Sequence, residues 1–83
     1  MITGGQIRAA RAFLRWSAEE LAAKAKVGSQ TVRRAEREEG VPSMLANNMD
    51  AIIRALEAAG IEFTNGDAPG VRMVKAKKAR PAR

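Results

Sequence analysis

The 83-residue chain predicts a small, mainly α fold: a compact four-helix domain containing a helix-turn-helix, then a short C-terminal β-hairpin and a disordered basic tail. Three observations predict it. Helix-start signals recur at Thr3, Ser17, Gly28-Ser29 and Asn47. The apolar residues that follow each signal repeat with the 3.6-residue period of a helix. After Gly60, a good helix stop, the period shortens to that of a strand.

The elements follow in order. Thr3-Gly4-Gly5-Gln6 and Ser17-Ala18-Glu19-Glu20 both read as capping boxes, a hydroxyl followed three residues on by Gln or Glu. They open helices over 4–14 and 18–25, with inward faces Ile7, Ala10, Arg11, Leu14 and Ala18, Leu21, Ala22, Ala25. Gly28 and Ser29 are both acceptable caps for a helix over 29–38, whose inward residues are Val32, Ala35 and Glu36. Asn47 and Asn48 cap a fourth helix over 47–59, with Asp50 suited to the positive end of its dipole. Its stripe is Met49, Ile52, Ile53 and Leu56, with Leu45 just before it. Ile61-Glu62-Phe63-Thr64 and Val71-Arg72-Met73-Val74 alternate as strands. Pro69 disfavours a two-residue Asn-Gly turn, because it would fall in the returning strand, so a six-residue loop over 65–70 joins them. The expected organisation is a helical domain over 1–60, a hairpin extension over 61–74 and a tail over 75–83.

Composition limits the chemistry. Hydrophobic residues make up 46% of the chain but aromatics only 4%, so the core must be aliphatic and rich in alanine. With no Cys and no His, disulfides, thiol chemistry and the usual general base are excluded, and no cofactor or metal is expected. No convergent carboxylates or phosphate-cradling glycine loop suggest an enzyme; Glu19, Glu20, Glu38 and Glu39 read as solvated or capping charges. No apolar run approaches membrane-spanning length, and the first residues lack a signal-peptide pattern, so a cytoplasmic protein without membrane contact is expected.

Charge points to the partner. The net charge is +6, and six of the fifteen basic residues lie beyond residue 60. A basic chain attracts polyanions, although the same charge also serves solubility. The second and third helices are separated by about three residues, the spacing of a helix-turn-helix, whose second helix can enter a DNA major groove. At about 100° per residue, Gln30, Arg33, Arg34 and Arg37 share the face opposite Val32 and Ala35. Arg33 or Arg34 suits the paired acceptors of guanine, and Gln30 the acceptor and donor of adenine. Ser29 lies at the helix start, within reach of a base or a phosphate. Thr31, Arg37, Asn47 and Asn48 are the candidate phosphate contacts. An arginine face on an isolated exposed helix is ordinarily just solvated; on the second helix of a tight helix-turn-helix, DNA contact is the stronger reading.

Residues 11–36 resemble the lambda-repressor-like, XRE-type helix-turn-helix family. Trp16-Ser17, Glu20-Leu21-Ala22, Ala25, Val27, Thr31-Val32 and Arg34-x-Glu36 fall in its register. The resemblance implies a DNA-binding transcriptional regulator, commonly a homodimer on a palindromic operator, with Ser29, Gln30, Arg33 and Arg34 as reading residues. The chain departs from the pattern at four places. Arg15 and Lys26 replace helix-terminating glycines, where a positive φ costs about 1 kcal/mol or more. Ala18 replaces a phosphate-contacting Gln. Gly28 replaces a Ser cap, which leaves Ser29 to cap instead.

Arg11 and Glu36 are charged residues on core-facing sides, so each needs a partner; a buried pair between them, which the resemblance also implies, is expected ahead of a phosphate contact for Arg11. Trp16 is expected to pack against the core. Ile61, Phe63, Val71 and Met73 form an apolar face on the hairpin. It either packs on the chain's own fourth helix or meets a second copy, and it is the candidate dimer interface. The leading expectation is a dimeric repressor acting by operator occupancy. The alternative is an antitoxin or anti-activator that grips a partner protein through the hairpin and tail.

Overall fold

The computed structural model describes residues 2–65 and 68–74; the tail over 75–83, expected to be disordered, lies outside the described residues. Four helices, α1 (Gly4–Leu14), α2 (Ala18–Ala25), α3 (Ser29–Arg37) and α4 (Ala46–Ala58), precede an antiparallel hairpin of β1 (Ile61–Thr64) and β2 (Gly70–Met73). The fold class is the one the periodicity predicts, with every boundary within one residue of the expected place. Among the described residues no helix is long and apolar enough to cross a membrane.

The capping boxes form as read. Thr3 and Ser17 accept from the amides of Gln6 and Glu20, and the Gln6 and Glu20 side chains accept from the cap amides in return. The core is aliphatic: Ile7, Leu21, Val32, Met49, Ile52, Leu56 and Ile61 are all fully buried. Ala10, Ala22, Ala25 and Ala35 fill the space between helices, where larger side chains would hold the backbones apart. Trp16 packs against this cluster, half-buried, with the Lys24 ammonium 5.1 Å from its ring centroid.

Both turns around α2 use the left-handed conformation. Arg15 has φ 59° and Lys26 φ 60°. In each turn the left-handed residue donates to the carbonyl three back, and the next residue, Trp16 or Val27, donates to the carbonyl five back. This closes the helix as glycine would, with a Cβ strain that glycine avoids. Gly60, φ 105°, makes the corresponding turn from α4 into β1 without strain.

Glycine matters differently at Gly4. A Cβ there would overlap the carbonyl oxygens of Ala35 and Glu38. The start of α1 therefore lies backbone to backbone against the end of α3, and the Gly4 amide donates to Gly40 O at 3.1 Å.

The hairpin pairs Ile61 with Met73, Glu62 with Arg72, Phe63 with Val71 and Thr64 with Gly70. Val74 N extends the pairing to Gly60 O at 2.6 Å. The far end is held by Gln6, whose side-chain amide donates to Thr64 O at 2.8 Å and Gly70 O at 3.0 Å. The apolar face lies on its own chain. Ile61 belongs to the core, and Phe63 and Val71 pack against it. Of the four candidate interface residues, Ile61 is thus unavailable to a second copy, whereas Met73 is 44% exposed.

Three local expectations change. The α4 cap is Leu45, so Asn47 and Asn48 lie inside the first turn and cap nothing, and Asp50 falls beyond that turn. Leu45 leaves the apolar stripe and is 72% exposed, because its extended backbone (ψ 139°) turns it off the helix face. The α3 cap is Gly28, which places Ser29 within the helix rather than at the cap.

Candidate nucleic-acid interface

The helix-turn-helix fixes which way α3 faces. Val32, Ala35 and Glu36 are buried beneath it, against α1 and α2. Gln30, Arg33, Arg34 and Arg37 are exposed on the opposite side, and Ser29 and Thr31 are half-buried at its start. The face sort made from the sequence therefore describes the folded helix.

The buried side is anchored by one ion pair. Arg11 Nε and Nη2 donate to the two Glu36 carboxylate oxygens at 2.7 and 2.8 Å, and Nη1 donates to Trp16 O at 2.9 Å. This bidentate pair ties α1, the first turn and α3 together, as the need for mutual partners predicts. The hydrogen bond to Glu36 is the main reason the Arg11 pKa lies above its ordinary value; burial opposes the shift and the Glu36 charge adds to it. Arg8, one turn before Arg11 on α1, donates to the Glu36 carbonyl.

The predicted contacts divide between the two flanks of α3. On one flank, Thr31, Arg34 and Asn48 line a shallow groove of about 230 Å³ between α3 and the start of α4, with Pro42, Ser43 and Leu45 on its other wall. On the other, Arg33 and Arg37 line a second cleft together with Arg8, Arg11, Ala18 and Glu36. Ser29, Gln30 and Asn47 line neither. The structure brings Asn48 to Arg34 and Thr31, residues far apart in sequence, and adds Arg8 to the basic set.

Glu19 is the other residue missed from the sequence, where it reads as a solvated charge. It sits in the first turn of α2 and forms an ion pair with Arg33 across the turn. Its signal was present but weak: a carboxylate at the start of one helix faces the second turn of the next only once the helix crossing is known.

The helix starts also differ. α1 and α2 carry full capping boxes, whereas no side chain caps α3 or α4. The amides at an uncapped helix start favour anions such as phosphate oxygens. Among the described residues, no group of three or more metal-ligating side chains comes together. No protein-family model and no curated protein matches the chain.

Proposed function

We propose that the protein is a sequence-specific DNA-binding transcriptional regulator of the lambda-repressor-like kind, with α3 in the major groove. One observation carries the reading: α3 turns Gln30, Arg33, Arg34 and Arg37 to solvent while Val32, Ala35 and Glu36 lock its other side into the core. A rigid helix with a cationic, hydrogen-bonding face, set on a tight turn, has the chemistry that base edges and phosphates require. Arg34 is the principal base reader, flanked by Gln30 and Ser29. Thr31, Asn48 and the uncapped start of α4 lie toward one phosphate strand, and Arg37 and Arg8 toward the other.

The chain works as a dimer on a palindromic operator and represses by occupancy, in the cytoplasm. One reading helix covers about half a helical turn of DNA, so a symmetric pair doubles the site. The hairpin edge and Met73 are the surfaces offered to the second copy. The test is selection from a randomised double-stranded library, followed by titration of the winning sequence against random DNA. A specific winner that Arg34→Ala loses, while melting stays unchanged, supports the reading. Equal, steeply salt-dependent binding to all sequences would overturn it and direct attention to a protein partner at the hairpin.

A further inference from the structure

The Arg33–Glu19 ion pair has a consequence for how α3 tells DNA sequences apart. The two side chains come from different helices of the helix-turn-helix, and both are exposed, 43% for Arg33 and 58% for Glu19. A solvated pair of this kind is held weakly in water and is readily exchanged for another partner. Only one guanidinium nitrogen of Arg33, Nη2, is engaged by the carboxylate. Arginine carries five N–H donors in a fixed fork, so others remain to be offered to DNA.

Two kinds of acceptor compete for them. Guanine presents O6 and N7, which carry no formal charge. The backbone presents phosphates, each with a full negative charge. An arginine that binds phosphate draws that charge toward Glu19, and two anions within a few ångströms repel each other. An arginine that binds guanine meets no such penalty and keeps Glu19 as a second partner. Arg33 would otherwise be suited to either acceptor.

Resting on the DNA-binding reading, we infer that Glu19 is a specificity-determining residue, which turns Arg33 from a phosphate clamp into a base reader by repelling the phosphate alternative. Its carboxylate lowers affinity for arbitrary DNA and thereby widens the gap between operator and background. Specificity is a difference of affinities, and a repulsive element aimed at the wrong ligand raises it as effectively as a new attraction.

The test uses the full chain, poly(dA-dT) duplex, which offers phosphates but no guanine-type O6/N7 pair, as background DNA and the sequence selected from a randomised duplex library as specific DNA. Glu19→Gln keeps the size of the side chain and removes its charge. It is expected to bind poly(dA-dT) about five- to tenfold more tightly at about 0.1 M salt, with the salt slope steeper by about 0.9 per protomer. Affinity for the selected sequence changes less, so the specificity ratio falls. Glu20→Gln removes the same charge one residue away and retains a side chain that completes the capping box. It is expected to leave the specificity ratio within about twofold of wild type. In an Arg33→Ala background, Glu19→Gln is expected to have no further effect.

An equal gain for Glu20→Gln would show a net-charge effect and overturn the inference. So would Glu19→Gln acting undiminished without Arg33, or not acting at all in a wild-type chain that does select a sequence. A wild-type chain that selects no sequence overturns the DNA-binding reading, and the inference with it.

Discussion

α3 carries an arginine–glutamate pair on each of its two faces, and the pairs behave oppositely. On the core face, Glu36 is 7% exposed and its carboxylate is gripped at both oxygens by Arg11. On the outer face, Arg33 and Glu19 share a contact in water. The residue types are the same; the surroundings differ. Removing one partner of the buried pair strands a charge with little solvent to relieve it, least at Glu36, whose side chain is 9% exposed against 26% for Arg11, whereas either partner of the exposed pair is simply rehydrated. The first pair fixes where α3 sits; the second, on the reading proposed above, sets what its outer face prefers to touch.

The largest effect that would break this contrast is at the buried pair. Arg11→Ala or Glu36→Ala is expected to destabilise the domain by about 3 kcal/mol or more, read from urea midpoints. Unchanged melting would mean that the core face of α3 is not anchored as described. The pair's pH dependence follows from its sign. Because the Arg11 pKa is raised, its contribution is complete below the unfolded arginine value and is lost only as pH climbs through the higher folded one. From about pH 6 to 9, therefore, the Arg11 contribution to the urea midpoint is constant.

Gly4→Ala comes next. The clash is with the backbone at the end of α3 rather than with a yielding side chain, so a loss of about 2–3 kcal/mol is expected. A neutral result would show that the core face has room to shift. Gains are smaller. Arg15→Gly and Lys26→Gly should each raise stability by up to about 1 kcal/mol by relieving left-handed strain at the turns that aim α3. The smallest stability effects belong to the outer face. Arg33→Ala or Arg34→Ala should shift unfolding by less than about 0.5 kcal/mol in calorimetry. A large loss of stability there would erase the distinction between the two faces.

Most of the core face was legible in the sequence because burial imposes a period. The stripes of α1, α2 and α3 and the need of Arg11 and Glu36 for a partner follow from local pattern plus the cost of burying a lone charge, whereas the strained caps at Arg15 and Lys26 were legible only through the family resemblance. What was not legible depends on how elements cross. Gly4 reads as an ordinary residue of a helix start until the end of α3 is laid against it. Glu19 has many exposed neighbours to choose from until the turn brings Arg33 near. Asn47 and Asn48 read as caps because asparagine caps well, yet α4 begins at Ala46 behind Leu45, which has no capping side chain at all. Ile61 was legible as apolar, but alternation alone does not say whether its own core or another copy covers it.

Gln6 joins two parts of the molecule that look independent in sequence. One side-chain amide closes the start of α1 through Thr3 and also holds the loop end of the hairpin through Thr64 and Gly70. Peeling the strands away would leave two buried donors without acceptors, so hairpin release and fraying of α1 should occur as one event in hydrogen exchange. The same linkage sets the terms on which two copies could trade hairpins. An exchanged hairpin that delivers its own Thr64 and Gly70 carbonyls to the neighbour's Gln6 restores every bond, whereas mere stacking of edges leaves both hairpins at home.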